Sequence, residues 1–367
     1  MITARCGKHR EYVQQKRDEA VSDFVKKVVW PHRHDVLVAD YMQNLDLPHF
    51  GGEQPGDTYY FSPLTICGFG VVDYSIEELN AYIYTEAEGK KGGNNVVSLL
   101  SHSLKKKGVF RDAENMGPGE SLTMVFDNCG GQNKNRIVLR YALYLVEKRI
   151  YKSVYLVFLV CGHTKNVCDR MFKELKQKFH HKNVYTMSQM VSVLNYSPKV
   201  HVIRAHSELH YDWDAYLDRL YKRPAAGTVN KNHIFRADVN QPGQLRTESI
   251  KGFDMKVQNL SKIKITSTGA TKAGRTRILK YGKVEVIEPP GLKPIKQVEL
   301  YKNWRPLVPD EYKDAICPKP SDAILEVVKK ERAEKKKKKI VQKKTAPKKK
   351  AQKKKVPKKK APKKKGR

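Results

Sequence analysis

A chain of 367 residues with a formal net charge of +34 is long enough for about two or three domains. Such an excess of Lys and Arg favours polyanionic partners, nucleic acid first, with an anionic membrane surface as the alternative. The sequence shows no lipidation motif, no secretory signal and no apolar run long enough to span a bilayer, so we expect no membrane partner.

The positive charge is concentrated toward the carboxyl end of the chain. Residues 329–367 hold 23 Lys or Arg and two Glu, a net charge of +21, which leaves +13 for residues 1–328. Lys-Lys-Lys triplets recur there behind Ala-Pro, Ala-Gln and Val-Pro pairs, and charge repulsion together with proline disfavours packing. We therefore predict a disordered Lys/Pro/Ala tail over 329–367.

The six cysteines follow neither a disulfide nor a complete zinc pattern. None belongs to a Cys-x-x-Cys pair, which favours reduced thiols in a cytosolic or nuclear protein. The segment Cys6-Gly-Lys-His9 has half of a zinc-ligand spacing, and no second half follows it downstream. It is compatible with a remnant of a zinc module.

The first third of the chain changes from a helical to a strand-like pattern. Apolar residues at helical spacing predict an amphipathic helix over 8–29. The run Asp35–Asp40 is apolar on both faces, as in a central buried strand. Proline and glycine predict a long loop over 41–57. Residues 58–73 then predict one or two strands, and 80–85 a further strand.

Helices and strands alternate over the next hundred residues. A helix is predicted to follow Gly92-Gly93 and to end at Lys105-Lys-Lys-Gly108, where glycine suits a left-handed cap. The run 122–127 predicts a strand, 133–148 a helix and 154–160 a second fully buried strand. Thr164 is the predicted N-cap of the helix that comes next. Three strands followed by alternating helices and strands predict a mixed α/β sheet of the ribonuclease H-like type, with helices on both faces.

The remaining sequence completes a four-part organisation. Residues 185–208 predict a further helix and strand, 211–221 a short helix, and 262–266, 275–280 and 283–287 short basic strands. The expected division is as follows: an N-terminal helix over 1–30, a ribonuclease H-like domain over 31–208, a small basic α+β module over 209–328 and the tail over 329–367.

Three aspartates stand where predicted elements begin or end. Asp40 and Asp127 end the first and fourth strands, which are neighbours in a ribonuclease H-like sheet, and Asp169 lies in the first turns of the last helix. Converging carboxylates repel one another unless they share cations, and Mg²⁺ or Mn²⁺ suits such ligands. Each aspartate also has a plainer interpretation. These are a turn cap for Asp40, an Asx-turn for Asp127 and a helical ion pair with Lys165 or Lys173 for Asp169. Asp73 and Glu174 are competing candidates.

Polar turns beside these aspartates are candidate nucleic-acid contacts. The turn after Asp127 has two glycines followed by Gln132, Asn133, Lys134 and Asn135 at a helix start, where a phosphate suits the exposed N–H groups. A tight strand-to-helix turn explains the same residues. His163 follows a buried strand and suits a contact with a phosphate or metal, or a structural role. Lys90 and Lys91 precede Gly92-Gly93 and are weaker candidates for a phosphate contact, because basic glycine turns are common.

Four segments resemble the motif series of an uncharacterised transposon-derived domain family of eukaryotes. They are Asp40-Tyr-Met-Gln-Asn-Leu-Asp-Leu-Pro48, Lys90-Lys-Gly-Gly-Asn-Asn95, Phe126-Asp-Asn-Cys-Gly-Gly-Gln-Asn-Lys-Asn135 and Gly162-His-Thr-Lys-Asn-Val-Cys-Asp-Arg170. That family is similar to DDE/DDD-type transposases and integrases, which use three acids on a ribonuclease H-like fold. The resemblance implies that Asp40, Asp127 and Asp169 are the metal-binding catalytic acids.

Three functions remain open at this level. The first is Mg²⁺-dependent phosphodiester hydrolysis and strand transfer on DNA, by a protein that acts as a homodimer on its substrate. The second is a catalytically inactive DNA- or chromatin-binding protein that keeps the fold. The third is a tail-driven interaction protein resembling linker histone. Pro-Lys-Lys-Lys runs predict a nuclear location for all three.

Overall fold

The computed structural model describes residues 32–52, 54–159, 166–248, 256–262, 278–279 and 282–345, with the backbone alone at 226, 248 and 335–345. The predicted helix over 8–29, Cys6, His9, His163 and Thr164 lie outside the described residues. The chain divides into two compact units, residues 1–319 and 320–367. Each unit is described by itself.

A nine-stranded mixed sheet forms the centre of the first unit, in the order β6-β3-β2-β1-β4-β5-β7-β8-β9. The strands have the following bounds: β1 His34–Leu47, β2 Leu64–Asp73, β3 Glu78–Thr85, β4 Gly119–Phe126, β5 Tyr151–Phe158, β6 Val200–Arg204, β7 Ile234–Asp238, β8 Gln244–Glu248 and β9 Lys256–Asn259. β1 runs antiparallel to β2 and parallel to β4, and β5 is parallel to β4. The predicted pairing of the first strand with the fourth is therefore confirmed.

β1 is longer than its sequence pattern indicates. We expected a loop from residue 41, but the strand continues to Leu47 because β2 supplies hydrogen-bond partners for its second half. The register shifts between Met42 and Leu45, where one extra residue forms a β-bulge. Because of the extra residue, Leu45 and Leu47 are buried on the same side of the sheet as Met42, although Leu45 is three positions after it. Prolines and glycines of the loop begin only at Pro48.

Helices cover both faces of the sheet, as predicted. The helices of the first unit have the following bounds: α1 Gly93–Lys106, α2 Val109–Met116, α3 Arg136–Glu147, α4 Val167–His180, α5 Met187–Leu194, α6 Trp213–Asp218, α7 Ala226–Lys231, α8 Pro294–Glu299 and α9 Lys313–Ile316. α1, α3 and α6 pack on one face with Leu37 and Ala39 of β1. α4 and α5 pack on the other face with Val38 and Met42.

Local capping explains where the helices begin and end. Gly108 follows α1 with φ of 84°, the left-handed conformation predicted from the Lys-Lys-Lys-Gly sequence. Asn135 caps α3 by accepting hydrogen bonds from the N–H groups of Ile137 and Val138. The N-cap of α4 is Asn166 and not Thr164. Helix α2 was not predicted from the sequence.

The strands described between residues 209 and 319 belong to the same sheet as β1 to β6. β7 pairs with β5 in an antiparallel manner, and β8 and β9 extend the same sheet outward. The predicted strand over 283–287 forms a single bridge between Tyr211 and Val286. The other two basic strand candidates, 262–266 and 275–280, lie mostly outside the described residues. The boundary expected at residue 208 therefore cuts through one continuous sheet.

The second unit contains helix α10, which runs from Asp322 to Thr345. We expected disorder from residue 329, but Leu, Glu, Ala and Lys have high helix propensity, and proline first occurs in this segment at Pro347. Residues 346–367 lie outside the described part of the chain. Of the helices in the described residues, none is both long and apolar enough to cross a lipid bilayer.

Candidate functional site

Two of the three candidate aspartates lie on neighbouring strands of the sheet: Asp127 directly follows β4, whereas Asp40, expected to end the first strand, lies within β1 because β1 continues to Leu47. Ala39 of β1 pairs with Phe126 of the parallel strand β4, and Asp40 and Asp127 are the next residues on these strands. Because side chains alternate between the two faces of a strand, both carboxylates lie on the same face of the sheet, the one packed against α4. Parallel pairing thus brings together two residues that are 87 positions apart.

The third aspartate reaches this place from the beginning of α4. Asp169 lies in the first turn of the helix. The preceding residue, Cys168, is fully buried, and its Sγ donates a hydrogen bond to the carbonyl oxygen of Val38 at 3.2 Å. Val38 is two residues before Asp40, so this contact holds the amino end of α4 against the end of β1.

The electrostatics of Asp40 reflect this convergence. Burial raises its pKa, and the negative charges of Asp127 and, to a smaller extent, Asp169 raise it further, to about 7. The N–H of Tyr41 opposes the shift by donating a hydrogen bond to Oδ1 of Asp40 at 2.7 Å. A buried carboxyl group whose pKa is raised further by neighbouring carboxylates is a candidate ligand for a cation, because a cation would relieve their repulsion.

Two of the carboxylates are also held by neighbouring amides. The side-chain nitrogen of Asn133 donates a hydrogen bond to Oδ1 of Asp127. Asp169 forms a reciprocal capping box with Asn166. The N–H of Asn166 donates to Oδ2 of Asp169 at 3.0 Å, and the N–H of Asp169 donates to Oδ1 of Asn166 at 3.2 Å. The carboxylate of Asp169 is thereby directed at the backbone of its own helix.

The three aspartates are suitable ligands for a divalent cation, but the structure does not arrange them as a metal site. Carboxylate oxygens are the ligands that Mg²⁺ and Mn²⁺ prefer. Across the described ranges, however, no group of three His, Cys, Asp or Glu side chains is placed to hold a metal ion. The capping box accounts for this difference, since Asp169 must leave Asn166 to share a cation with Asp40. Asn166 Nδ2 lowers the pKa of Asp40 but makes no hydrogen bond of standard geometry.

The loop before α1 brings a lysine to the same site. Nζ of Lys91 donates a hydrogen bond to the carbonyl oxygen of Met42 at 3.2 Å and lies 5.0 Å from the ring centroid of Tyr41. Burial lowers the pKa of Lys91, while Cys67 and Asp40 raise it. Lys91 is therefore close enough to Asp40 for their charges to interact. Lys90 is exposed to solvent, and its side chain makes no contact that ties it to the aspartates among the described residues.

The turn after Asp127 is more structural than its sequence indicates. Lys134, expected to meet phosphate, is buried, donates to the carbonyl oxygen of Asn230 at 3.3 Å and lies 5.8 Å from the ring centroid of Phe158. Asn135 is committed to capping α3, and its Nδ2 donates to the carbonyl oxygen of Gln132 at 2.7 Å. A buried lysine bonded to the main chain is a poor phosphate ligand, so the interpretation as a strand-to-helix turn explains these contacts better.

The two competing acids lie elsewhere. Asp73 faces the side of the sheet opposite to Asp40, where it forms an ion pair with Lys107. Glu174 accepts a hydrogen bond from the hydroxyl group of Tyr196 at 2.9 Å on the exposed side of α4. Asp127 and Asp169 are among the main causes of the raised pKa of Asp40, and the two competing acids are not.

Sequence reasoning missed Asn166, although a usable signal was present. The spacing Asn166-Val-Cys-Asp169 places a capping amide three residues before an acid, which is the pattern of a capping box. Reading it would have moved the start of α4 from Thr164 to Asn166. Lys91 was recognised as a phosphate candidate, but its proximity to Asp40 depends on the tertiary fold.

Comparison with known families places the chain within a wider group. Residues 63–254, slightly more than half of the chain, match the family model described as "Domain of unknown function (DUF7869)". The chain belongs to the DUF7869 family. The matched DUF7869 region contains Asp127 and Asp169 and begins after β1, so it does not include Asp40. No curated protein matches the chain.

Proposed function

We propose that this DUF7869 protein is a transposase- or integrase-like nuclease that hydrolyses and transfers DNA phosphodiester bonds through Asp40, Asp127 and Asp169. The observation that carries the proposal is the convergence of these carboxylates, from two adjacent parallel strands and one helix, on one face of the sheet. β1, β2 and β3 form an antiparallel meander, and β4 then pairs with β1 in a parallel manner. This order agrees with a ribonuclease H-like sheet.

The aspartates supply a site for Mg²⁺ or Mn²⁺ once Asp169 leaves its capping box. Bound there, the divalent ions would activate a water or 3′-hydroxyl group and stabilise the leaving oxygen. The protein's own contribution is to fix Asp127 through Asn133, to hold α4 against β1 through Cys168, and to keep Lys91 close to Asp40. A lysine at this position balances negative charge that a bound phosphodiester adds.

The charge distribution supports DNA as the substrate. Residues 1–328 carry a net +13 and residues 329–367 a net +21, so both parts attract a polyanion. We include in the proposal a nuclear location, from the Pro-Lys-Lys-Lys runs, and assembly as a homodimer on DNA. Imaging of a fluorescent fusion in cells tests the first, and light scattering of the protein with and without duplex DNA tests the second.

A second candidate function has a specific observation in its favour. The capping box directs Asp169 away from Asp40, and the described residues contain no preformed metal group. These features suit a DNA- or chromatin-binding protein that keeps the sheet and has lost catalysis. DNA binding without any cleavage in the presence of Mg²⁺ or Mn²⁺ is the result that favours this second function.

The deciding experiment is a nicking assay on supercoiled plasmid with the full chain. We expect Mg²⁺- or Mn²⁺-dependent nicking that EDTA stops and that Asp127→Asn abolishes, since this substitution removes a charged ligand and keeps the side-chain size. Asp310→Asn is the matched control, because Asp310 is an exposed carboxylate that pairs with Lys313 on the surface. Equal nicking by both variants would show that a contaminant or another site is responsible.

A further inference from the structure

A groove beside the aspartates has no assigned role. It lies between the second half of β1 and the outward face of α4, and its volume is about 790 Å³. Asp169 forms part of its lining, whereas Asp40 and Asp127 do not, so the groove adjoins the candidate catalytic site at Asp169. The loop after β1 contributes Gln54 and His49 to the same surface.

One wall of the groove is a row of basic side chains on α4. Lys173, Lys176 and His180 follow one another at intervals of three and four residues and therefore share one side of the helix. From the first to the third, the row extends about 10 Å at about 1.5 Å per residue.

One lysine of this wall is paired with a neutral group. Lys176 donates a hydrogen bond to the amide oxygen of Gln43 at 2.6 Å, and burial lowers the pKa of the lysine. Within the described residues, no ion pair joins Lys173 to Asp169, although the two are four residues apart on the helix. An anion that enters the groove thus meets lysines whose charge is not already neutralised by a carboxylate.

The facing wall is rich in side-chain amides, which the β-bulge places there. The extra residue between Met42 and Leu45 turns Gln43 and Asn44 outward, and both are exposed. Amide groups donate to phosphates and both donate to and accept from sugar hydroxyls and base edges, whereas the side chains of an acidic peptide are acceptors. Asp46 is the other carboxylate of the groove, and Lys296 lies close enough to oppose the rise in its pKa that burial causes.

We propose that this groove binds one strand of nucleic acid, with its phosphates along Lys173, Lys176 and His180 and its sugars and bases toward Gln43 and Asn44. The strand runs along α4 toward Asp169, so the groove delivers a phosphodiester to the three aspartates. The direction of the bound strand rests on the proposed nuclease function. The ligand class rests on the row of basic side chains along α4 and on the amides that face it.

Site-resolved protection of lysines tests the groove in the full chain. A single-stranded oligonucleotide of about 12 nucleotides, within the usual range of binding-site sizes, is added before brief acetylation. Modification is then measured at each lysine by mass spectrometry. We expect acetylation of Lys173 and Lys176 to slow several-fold, while Lys105, an exposed lysine on the opposite face of the sheet, is unchanged. Because each lysine is read separately, binding by the tail does not obscure the result.

Paired variants supply the affinity measurement. Lys173→Ala/Lys176→Ala should weaken binding of the oligonucleotide and reduce the slope of log K against log salt by about 1.4, at about 0.7 per phosphate contact. Lys105→Ala/Arg111→Ala removes the same charge from the opposite face and should leave the slope unchanged. Lys173→Arg/Lys176→Arg should restore binding, and circular dichroism checks that each variant is folded.

Three results would overturn the assignment of the groove. They are unprotected Lys173 and Lys176 at saturating oligonucleotide, equal salt slopes for the two alanine pairs, and equal protection by a polyglutamate peptide. The last result would assign the groove to acidic proteins. Failure of the nuclease proposal is distinguishable, because lysine protection does not depend on cleavage. Protected lysines without nicking support the groove and remove only the enzymatic role.

Discussion

The thiol of Cys168 donates a hydrogen bond to the carbonyl oxygen of Val38 at 3.2 Å, across the interface between α4 and β1. The two residues are 130 positions apart, and each lies one or two residues from a candidate catalytic aspartate. Burial raises the pKa of the Cys168 thiol far above its usual value, so it stays a neutral donor at physiological pH. The contact fixes where Asp169 stands relative to Asp40.

Replacing Cys168 should therefore affect both stability and the site. We expect Cys168→Ala to lower the free energy of unfolding by about 1–2 kcal/mol, because it removes the packing of the sulfur and its hydrogen bond. Urea denaturation measures this change. Cys129→Ala is the control, since Cys129 is only partly buried in the turn after Asp127. A smaller loss for Cys168→Ala than for Cys129→Ala contradicts the role assigned to this hydrogen bond.

The raised pKa of Asp40 predicts a pH dependence of stability. Native Asp40 keeps its proton up to about pH 7, whereas the unfolded chain releases it near 3.8, so this group's contribution is present at low pH and lost as pH rises through 7. At about 1.4 kcal/mol per pKa unit, the loss is on the order of 2–4 kcal/mol. Urea unfolding at pH 5 and 8 should show that Asp40→Asn removes most of this difference.

Asp127→Asn should reduce the same pH dependence only in part. Burial is the largest cause of the Asp40 shift, and the charge of Asp127 comes second. NMR titration of the Asp40 carboxyl carbon should accordingly show a lowered pKa that stays above the ordinary value. An unchanged pKa would mean that the two carboxylates do not interact, and the shared-cation interpretation would lose its basis.

A buried charge network stabilises the other end of β1. Nζ of Lys107 lies 2.5 Å from Oδ1 of Asp35, and Arg33 and the hydroxyl of Tyr151 also contact this carboxylate. Burial alone raises the pKa of Asp35, but Lys107 and Arg33 together lower it. Its contribution to stability is therefore present at neutral pH and lost as pH falls below about 4.

Lys107→Met should destabilise the protein by about 3–5 kcal/mol at pH 7, because it removes one partner of a buried ion pair. Chemical denaturation measures the loss, which should shrink at acid pH where Asp35 becomes protonated. Lys105→Met is the control, since Lys105 is an exposed residue of the same helix. Equal losses for the two variants are incompatible with a buried network.

Gly93, at the start of α1, packs so closely against Asn135, the N-cap of α3, that a larger residue does not fit. A Cβ atom at Gly93 would lie 2.6 Å from Oδ1 of Asn135, the atom that caps α3. Gly93→Ala should therefore displace the cap and lower the melting temperature, with a loss of about 1 kcal/mol or more. Gly131→Ala meets no atom within 4 Å among the described residues and should be nearly neutral. Differential scanning calorimetry of both variants decides the point.

Removal of residues 346–367 should change DNA affinity chiefly through charge. These residues hold 13 Lys or Arg and no acid. We expect weaker binding of duplex DNA and a shallower salt dependence than for the full chain, by about 0.9 in slope for each phosphate that the tail no longer neutralises. Anisotropy titrations at several salt concentrations measure both. A truncated chain without any DNA affinity would assign binding to the tail and contradict the groove.

Several features of the fold could be read from local patterns. Apolar runs before Asp40 and Asp127 predicted two adjacent strands, although β1 does not end at Asp40, and the Lys-Lys-Lys-Gly sequence predicted the left-handed end of α1. These predictions hold because strand burial and helix capping depend on residues that are close in sequence. The loop expected over 41–57 and the module expected over 209–328 rested on composition alone. In the structure, β2 pairs with β1 as far as Leu47, and β7 joins the main sheet beside β5.

The sequence by itself determined the residue types at the site and the basic character of the protein, since both are properties of single positions and their sums. Only the tertiary structure decided which polar residues meet. It buried Lys134 against Phe158, placed Lys91 near Asp40 and turned Asp169 toward Asn166. Each of these outcomes depends on contacts between segments that are distant in sequence. Burial and charge act over a few ångströms in space, so local sequence patterns do not reveal them.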